Sequence, residues 1–207
     1  MKKHIVLAIL FIFPLVVYLF FASGVNQFAK LPVLTQNVEE IGAYSDVQFK
    51  DRITVLGFFG GVLQDKKALA LNLNQKIYKR FYQFLDFQFV IALPEGAEVQ
   101  AESLRAELEG TTGTDMSRWN FVFLAPDALE RVFRSLNLPL ALDNNSANPF
   151  VFIIDRDANL RGRDDNDFFG YDARSVADIN NNMVDDVKVI LAEYRLALKK
   201  YNQGRKP

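Results

Sequence analysis

Oxygen ligands are the first residues in this chain whose spacing suggests chemistry. Asp155-x-Asp157-x-Asn159 has the spacing that opens a calcium loop. The glycine such a loop needs at the next position is missing, and Asn166 stands where the closing glutamate would be. A hairpin turn accounts for the same residues. Asp164, Asp165 and Asp167 form a second cluster, able to hold a divalent cation weakly or to face a basic partner, with a solvated loop as the plain explanation. Glu95, Glu98, Glu102 and Asp65 offer acid/base groups, but nothing in the sequence places two of them together. A Ser-His-Asp arrangement needs a histidine, and the single one, His4, sits at the N-terminus. Gly57, Gly60 and Gly61 make neither a P-loop nor a dinucleotide fingerprint.

Composition narrows the options further. Half of the 207 residues are hydrophobic and the net charge is −1, which describes a folded chain. No basic stripe suggests nucleic acid. The absence of cysteine removes disulfides, thiol catalysis, thiolate metal sites, iron–sulfur clusters and lipoprotein acylation. No cofactor is implied by any motif.

The elements that would position a site begin at Ile53. Ile53 to Phe59 is a dense apolar run ended by Gly60-Gly61, as expected of a buried strand. A helix follows, with Leu69, Leu73, Ile77, Phe81, Phe84 and Leu85 along one side. A strand, a tight loop and a helix N-terminus make a corner where backbone N–H groups and the helix dipole lower the pKa of a thiol. Redox folds place cysteines at such a corner. Here it holds Gly60, Gly61, Val62, Leu63, Gln64, Asp65, Lys66 and Lys67.

Ahead of the corner, Ile5 to Ala22 carries no charge and follows Met1-Lys2-Lys3-His4. Its length is at the lower end for spanning a bilayer, and the positive-inside rule puts the N-terminus in the cytoplasm and the rest outside. A cleaved signal is the rival, since Ala22-Ser23-Gly24 resembles a cleavage site. The chain divides into residues 1–23 as anchor or signal, 24–51 as a stalk and lead-in segment, and 52–207 as one domain. Leu31 to Leu34 must lie extended around Pro32.

Behind the corner, strands are expected over Phe87 to Leu93, Trp119 to Leu124 and Phe150 to Ile154, with helices over Glu98 to Leu108 and from Pro126 to about Leu136. Leu160 to Arg163 returns as a hairpin arm. A long last helix, capped by Ser175, carries Val176, Ile179, Met183, Val187, Ile190, Tyr194, Leu198 and Tyr201. The predicted class is α/β, three-layered, with a mostly parallel central sheet, a C-terminal hairpin and a long closing helix.

This order resembles the thioredoxin fold, and its details resemble the Sco/SenC branch, membrane-anchored periplasmic proteins that help assemble the copper site of cytochrome oxidase. The N-terminal anchor with its extended segment, the strand ending in Phe58-Phe59, and FVFIIDRDANLRG over Phe150 to Gly162 carry the resemblance. It implies a cis-proline at Pro149, facing the corner. It also places the family's paired cysteines near Val62 and Lys66, and its ligand histidine near Ala147 or Asn148. None of those residues is present, so no catalytic, copper or cofactor residue carries over.

The expectation is therefore a non-enzymatic interaction or assembly protein, single-pass in the inner membrane with its domain in the periplasm or outside. Its partner would be a membrane complex, with the resemblance pointing to a respiratory one. Two surfaces are candidates for that partner. One is Gly60, Gly61, Val62 and Lys66 with Asn148 and Pro149; the other is the acidic loop with Phe168, Phe169 and Tyr171. The alternatives are a weak divalent-metal site on Asp164, Asp165 and Asp167, and a carboxylate-based enzyme.

Overall fold

The computed structural model describes residues 2–22, 30–164 and 168–203, with side chains over 9–19, 30–164 and 168–197. Helix α1 (Lys2–Ala22) comes first, with Pro14 inside it and exposed apolar side chains such as Leu10, Phe13 and Tyr18. Among the described residues no helix is long and apolar enough to cross a membrane.

A seven-stranded sheet forms the centre of the domain. Its strands are β1 (Val33–Thr35), β2 (Ile53–Phe59), β3 (Phe87–Pro94), β4 (Trp119–Leu124), β5 (Ala147–Ile154), β6 (Leu160–Arg161) and β7 (Tyr171–Asp172). The order is β1-β6-β5-β2-β3-β4, with β7 also on β5. Only β2, β3 and β4 are parallel; β5 runs antiparallel to β2, and β1, β6 and β7 add further antiparallel pairs. The sheet is mixed, which corrects the mostly parallel expectation. Strand–helix alternation predicts parallel neighbours only where each crossover returns the chain to the same end of the sheet. After β4, at the sheet edge, the chain instead crosses to the far side of β2 and enters from the opposite end.

Alternation along β2 separates two cores. Ile53, Val55 and Phe59 face one cluster with Phe87, Phe89, Ile91 and Trp119, while Leu56 and Phe58 face the other with Val90, Ala92 and Val122. The first face is covered by α2 (67–81), α3 (Glu98–Thr112) and the closing helix α5 (176–203). The second is covered by α4 (Pro126–Ser135), which Pro126 opens, and by Val38, Ile41 and Phe49 of the lead-in segment. The molecule is thus an α/β three-layer structure. Residues 31–51 belong to its body: Leu31 is buried, and Val33 and Thr35 pair with β6.

Two π-helical turns explain how the long apolar stripes stay on target. A spacing of four residues drifts by about 40° per step on a 3.6-residue helix. Leu69, Leu73, Ile77 and Phe81 repeat every four, and a π-turn at Asn74–Tyr78 takes up the excess. The closing helix has the same device at Ile179–Met183, and Ile179, Met183, Val187 and Ile190 are all buried. Phe84 and Leu85 leave the stripe and are 45% and 74% exposed. The side chains of Leu198 and Tyr201 lie outside the described residues.

One buried cation ties the late elements to the early ones. Arg161, on β6, is 4% exposed. Its guanidinium donates to Asp155 at 3.0 Å, to Glu193 of α5 at 2.7 Å, and through Nε to the Leu31 carbonyl at 2.8 Å. Removing the cation leaves the buried Asp155 carboxylate without its ion pair. Arg161→Met is expected to lower unfolding free energy by about 3–5 kcal/mol in urea titrations. A loss below about 1 kcal/mol would show that water already screens the cluster.

Candidate functional site

The corner after β2 is assembled as its strand–loop–helix order requires. Gly60 has φ +73°, and a Cβ there would collide with the Asn145 carbonyl and stand 2.9 Å from the Ala147 methyl. The Gly61 N–H donates to the same Asn145 carbonyl at 3.1 Å. The loop after the strand and the loop before β5 are therefore locked together through backbone. Beyond them Val62 is 43% exposed, Leu63 is buried with its N–H on Gln100 Oε1 at 3.1 Å, and Gln64–Lys66 forms a single 3-10 turn into α2. Lys67 pairs with Glu107 at 2.6 Å across to α3.

The first predicted surface divides in two. Lys66 and Pro149 line one cleft of about 350 Å³ together with Asp65, Leu69, Asn72 and Arg174. Asn148 does not contribute to it: it is 6% exposed, its amide donates to the Ala141 carbonyl, and its oxygen accepts from the Phe150 N–H. The far wall of the cleft, Ala173 to Val176, was not legible in the sequence. It arrives because the Ala173 N–H donates to the Pro149 carbonyl and the Asn72 amide donates to the Ala173 carbonyl. The Arg174 guanidinium is held by Asp172 at 2.8 Å.

Pro149 is trans, since the described chain has no cis peptide bond; the predicted cis bond is corrected. A bulge redirects the strand instead. Gly57 pairs with Val151, but the next residue, Phe58, pairs with Asn148, so Pro149 and Phe150 are extra on the β5 side. Proline has no N–H to lose from the ladder at that point.

The second predicted surface folds inward. Tyr171 is fully buried, and its hydroxyl donates to Asp186 Oδ2 at 2.9 Å. Phe168 packs edge-on against Tyr171 at 5.1 Å and lies directly over Gly162, whose missing Cβ makes room for the ring. Phe169 is half-buried. Tyr171 is therefore core and not contact surface, while Phe168 and Phe169 stay partly exposed. Asp164 is exposed, while Asp165 and Asp167 lie outside the described residues. Among the described residues no three His, Cys, Asp or Glu side chains gather as a metal site. Asp155 accepts the N–H groups of Asp157 and Asn159 at 3.0 and 2.9 Å and pairs with Arg161, so the Asp155–Asn159 motif is a turn.

No protein-family model and no curated protein sequence matches the chain. Solved structures do. A SCO1/SenC family lipoprotein from Bacillus anthracis str. Ames superposes with a TM-score of 0.53 at 17% identity, over 79% of this chain and 99% of that one. BsSco, a member of the Sco family of cytochrome c oxidase assembly proteins studied for a disulfide switch, gives 0.52 at 11% identity, over 78% and 98%. The likeness is one of fold: a thioredoxin-like Sco/SenC architecture, in a chain without cysteine.

Two outcomes test this geometry. Gly60→Ala is expected to cost more than about 2 kcal/mol, because a left-handed φ and a steric collision coincide. Gly61→Ala, where a Cβ would meet only Pro94 Cγ at 3.5 Å, is expected to stay within about 0.5 kcal/mol. Burial, then the Asp186 carboxylate, raises the Tyr171 pKa far above its ordinary value of 10.0, and burial raises Tyr78 to about 12. The folded state holds both protons after the unfolded state has begun to lose them. This stability is complete below pH 10 and falls as pH rises above it. Denaturation midpoints across the alkaline range should decline, and Tyr171→Phe should flatten the decline.

Proposed function

We propose that the chain is a membrane-anchored, extracytoplasmic thioredoxin-like protein that works as a non-catalytic interaction or assembly factor. The observation that carries this reading is the corner itself. Its strand, locked loops and helix start are built to tolerances that exclude even a methyl group at Gly60, yet Val62 and Lys66 stand where the resemblance places thiols. A fold maintained at that corner without redox groups is suited to docking. The cleft between Lys66, Pro149 and Arg174 is the feature a partner would use, since Ala68, Leu69 and Val176 give it apolar walls and Asp65, Lys66 and Arg174 charged ones, while the exposed Val62 precedes it in the chain.

The remaining parts of the reading follow the same logic. The Bacillus anthracis protein is described as a lipoprotein. Without cysteine this chain cannot be acylated in that way, and the apolar helix Lys2–Ala22 is the alternative anchor. Cytochrome oxidase assembly is the role given for the BsSco family, so a respiratory membrane complex is the proposed partner.

The test is co-purification of the full chain, tagged after Pro207, from membranes in mild detergent. Recovery of a respiratory assembly is expected, and Val62→Ala with Lys66→Glu should reduce it at least about fivefold without lowering Tm. Unchanged recovery from the double variant would remove the corner from the interface. A tagged protein released from membranes by alkaline carbonate would overturn the anchor.

A further inference from the structure

A second cleft lies at the other end of the sheet from the corner, about 20 Å away by the length of β2. It has a volume of about 600 Å³ and is bounded by the residues that start the parallel strands: Arg52 before β2, Phe87 and Gln88 in β3, and Ser117, Arg118 and Asn120 around the start of β4. Asp46 stands at its rim. This location and its chemistry are separate from the docking function proposed above.

The floor is a satisfied polar ladder. Gln88 Nε2 donates to the Gln48 carbonyl at 2.8 Å and to Thr54 Oγ1 at 2.9 Å, and Asn120 Nδ2 donates to the Phe89 carbonyl at 3.2 Å. Ser117 Oγ donates to Asp115 at 2.9 Å. These groups are fixed in place and have little left to offer. The arginines differ. Arg52 Nη1 donates to the Leu85 carbonyl at 2.6 Å, and Arg118 Nη1 donates to the Phe84 carbonyl at 2.7 Å and also to that of Leu85. Two guanidiniums thus converge on one carbonyl oxygen. Capping the turn after α2 uses one nitrogen of each. Their other nitrogens bond to no described residue, and neither arginine forms an ion pair among the described residues. Asp115 acts on Arg118 only through space, because its carboxylate is taken up by Ser117.

We propose that this cleft binds a small phosphate-bearing anion bridging Arg52 and Arg118. Two like charges held beside one oxygen favour an anion that reaches both. A carboxylate has oxygens for one guanidinium fork, while a phosphate dianion has charge and acceptors for two. The volume exceeds a bare phosphate and falls in the range of ligand sites, so the phosphate would be carried on a larger polar molecule. Asp46, at the rim, opposes the same anion.

Trp119, adjacent to Arg118 and the chain's single tryptophan, supplies the readout. The full chain in detergent is titrated with inorganic pyrophosphate at constant ionic strength, following Trp119 fluorescence and Tm. A saturable response below about 10 mM is expected. Arg52→Ala should weaken it at least about tenfold. Asp46→Asn, an exposed change that leaves the floor intact, should tighten it about two- to threefold. No saturable response by about 10 mM, or a response that both variants leave unchanged, overturns the site.

Discussion

A single buried guanidinium holds the architecture together. Arg161 sits on a two-residue strand, yet it reaches the turn that ends β5, the closing helix and the carbonyl of Leu31. The strands among those elements are short: β1 has three residues and β6 two. Burying a charge is costly unless its donors are all used, and here the acceptors come from three separate parts of the chain. The cluster therefore specifies one arrangement of the sheet edge. Phe168 then closes over Gly162, and Tyr171 is held to Asp186 beside Arg163, which itself pairs with Asp186 at 2.8 Å.

The corner after β2 shows the same economy of backbone. Gly60 and Gly61 are tied to Asn145 by close approach and by a hydrogen bond, with no side chain involved. Such a lock is independent of which side chains stand at positions 62 and 66. The chain has a fold like that of the Sco structures and no cysteine. Side chains near the lock line one cleft, while the opposite end of the sheet gathers arginines around a different one.

Much of the site's frame was legible because its signals are local. The apolar run Ile53–Phe59, the Gly-Gly break, Pro126 at a helix start and the Asp155–Asn159 turn each fix backbone within a few residues. The aromatic triplet was harder. Phe168 and Tyr171 follow an acidic stretch; Phe168 packs into space left by Gly162, just past β6, and Tyr171 is buried through its contact with Asp186 on the closing helix.

By itself the sequence determined the element types, the two-faced alternation of the strands, the missing thiol chemistry and the thioredoxin-like order, since all depend on periodicity, turn residues or composition. Only the tertiary structure decided the direction of β5, the trans bond at Pro149, the inclusion of residues 31–51 in the body, and the pairing of Arg52 with Arg118. Those outcomes rest on contacts between residues far apart in the chain. Strand direction follows from where a crossover lands, and a bulge from which partner is opposite. A cluster of arginines follows from which strand starts are brought side by side. No local pattern encodes these, because their energies exist only once the sheet has formed.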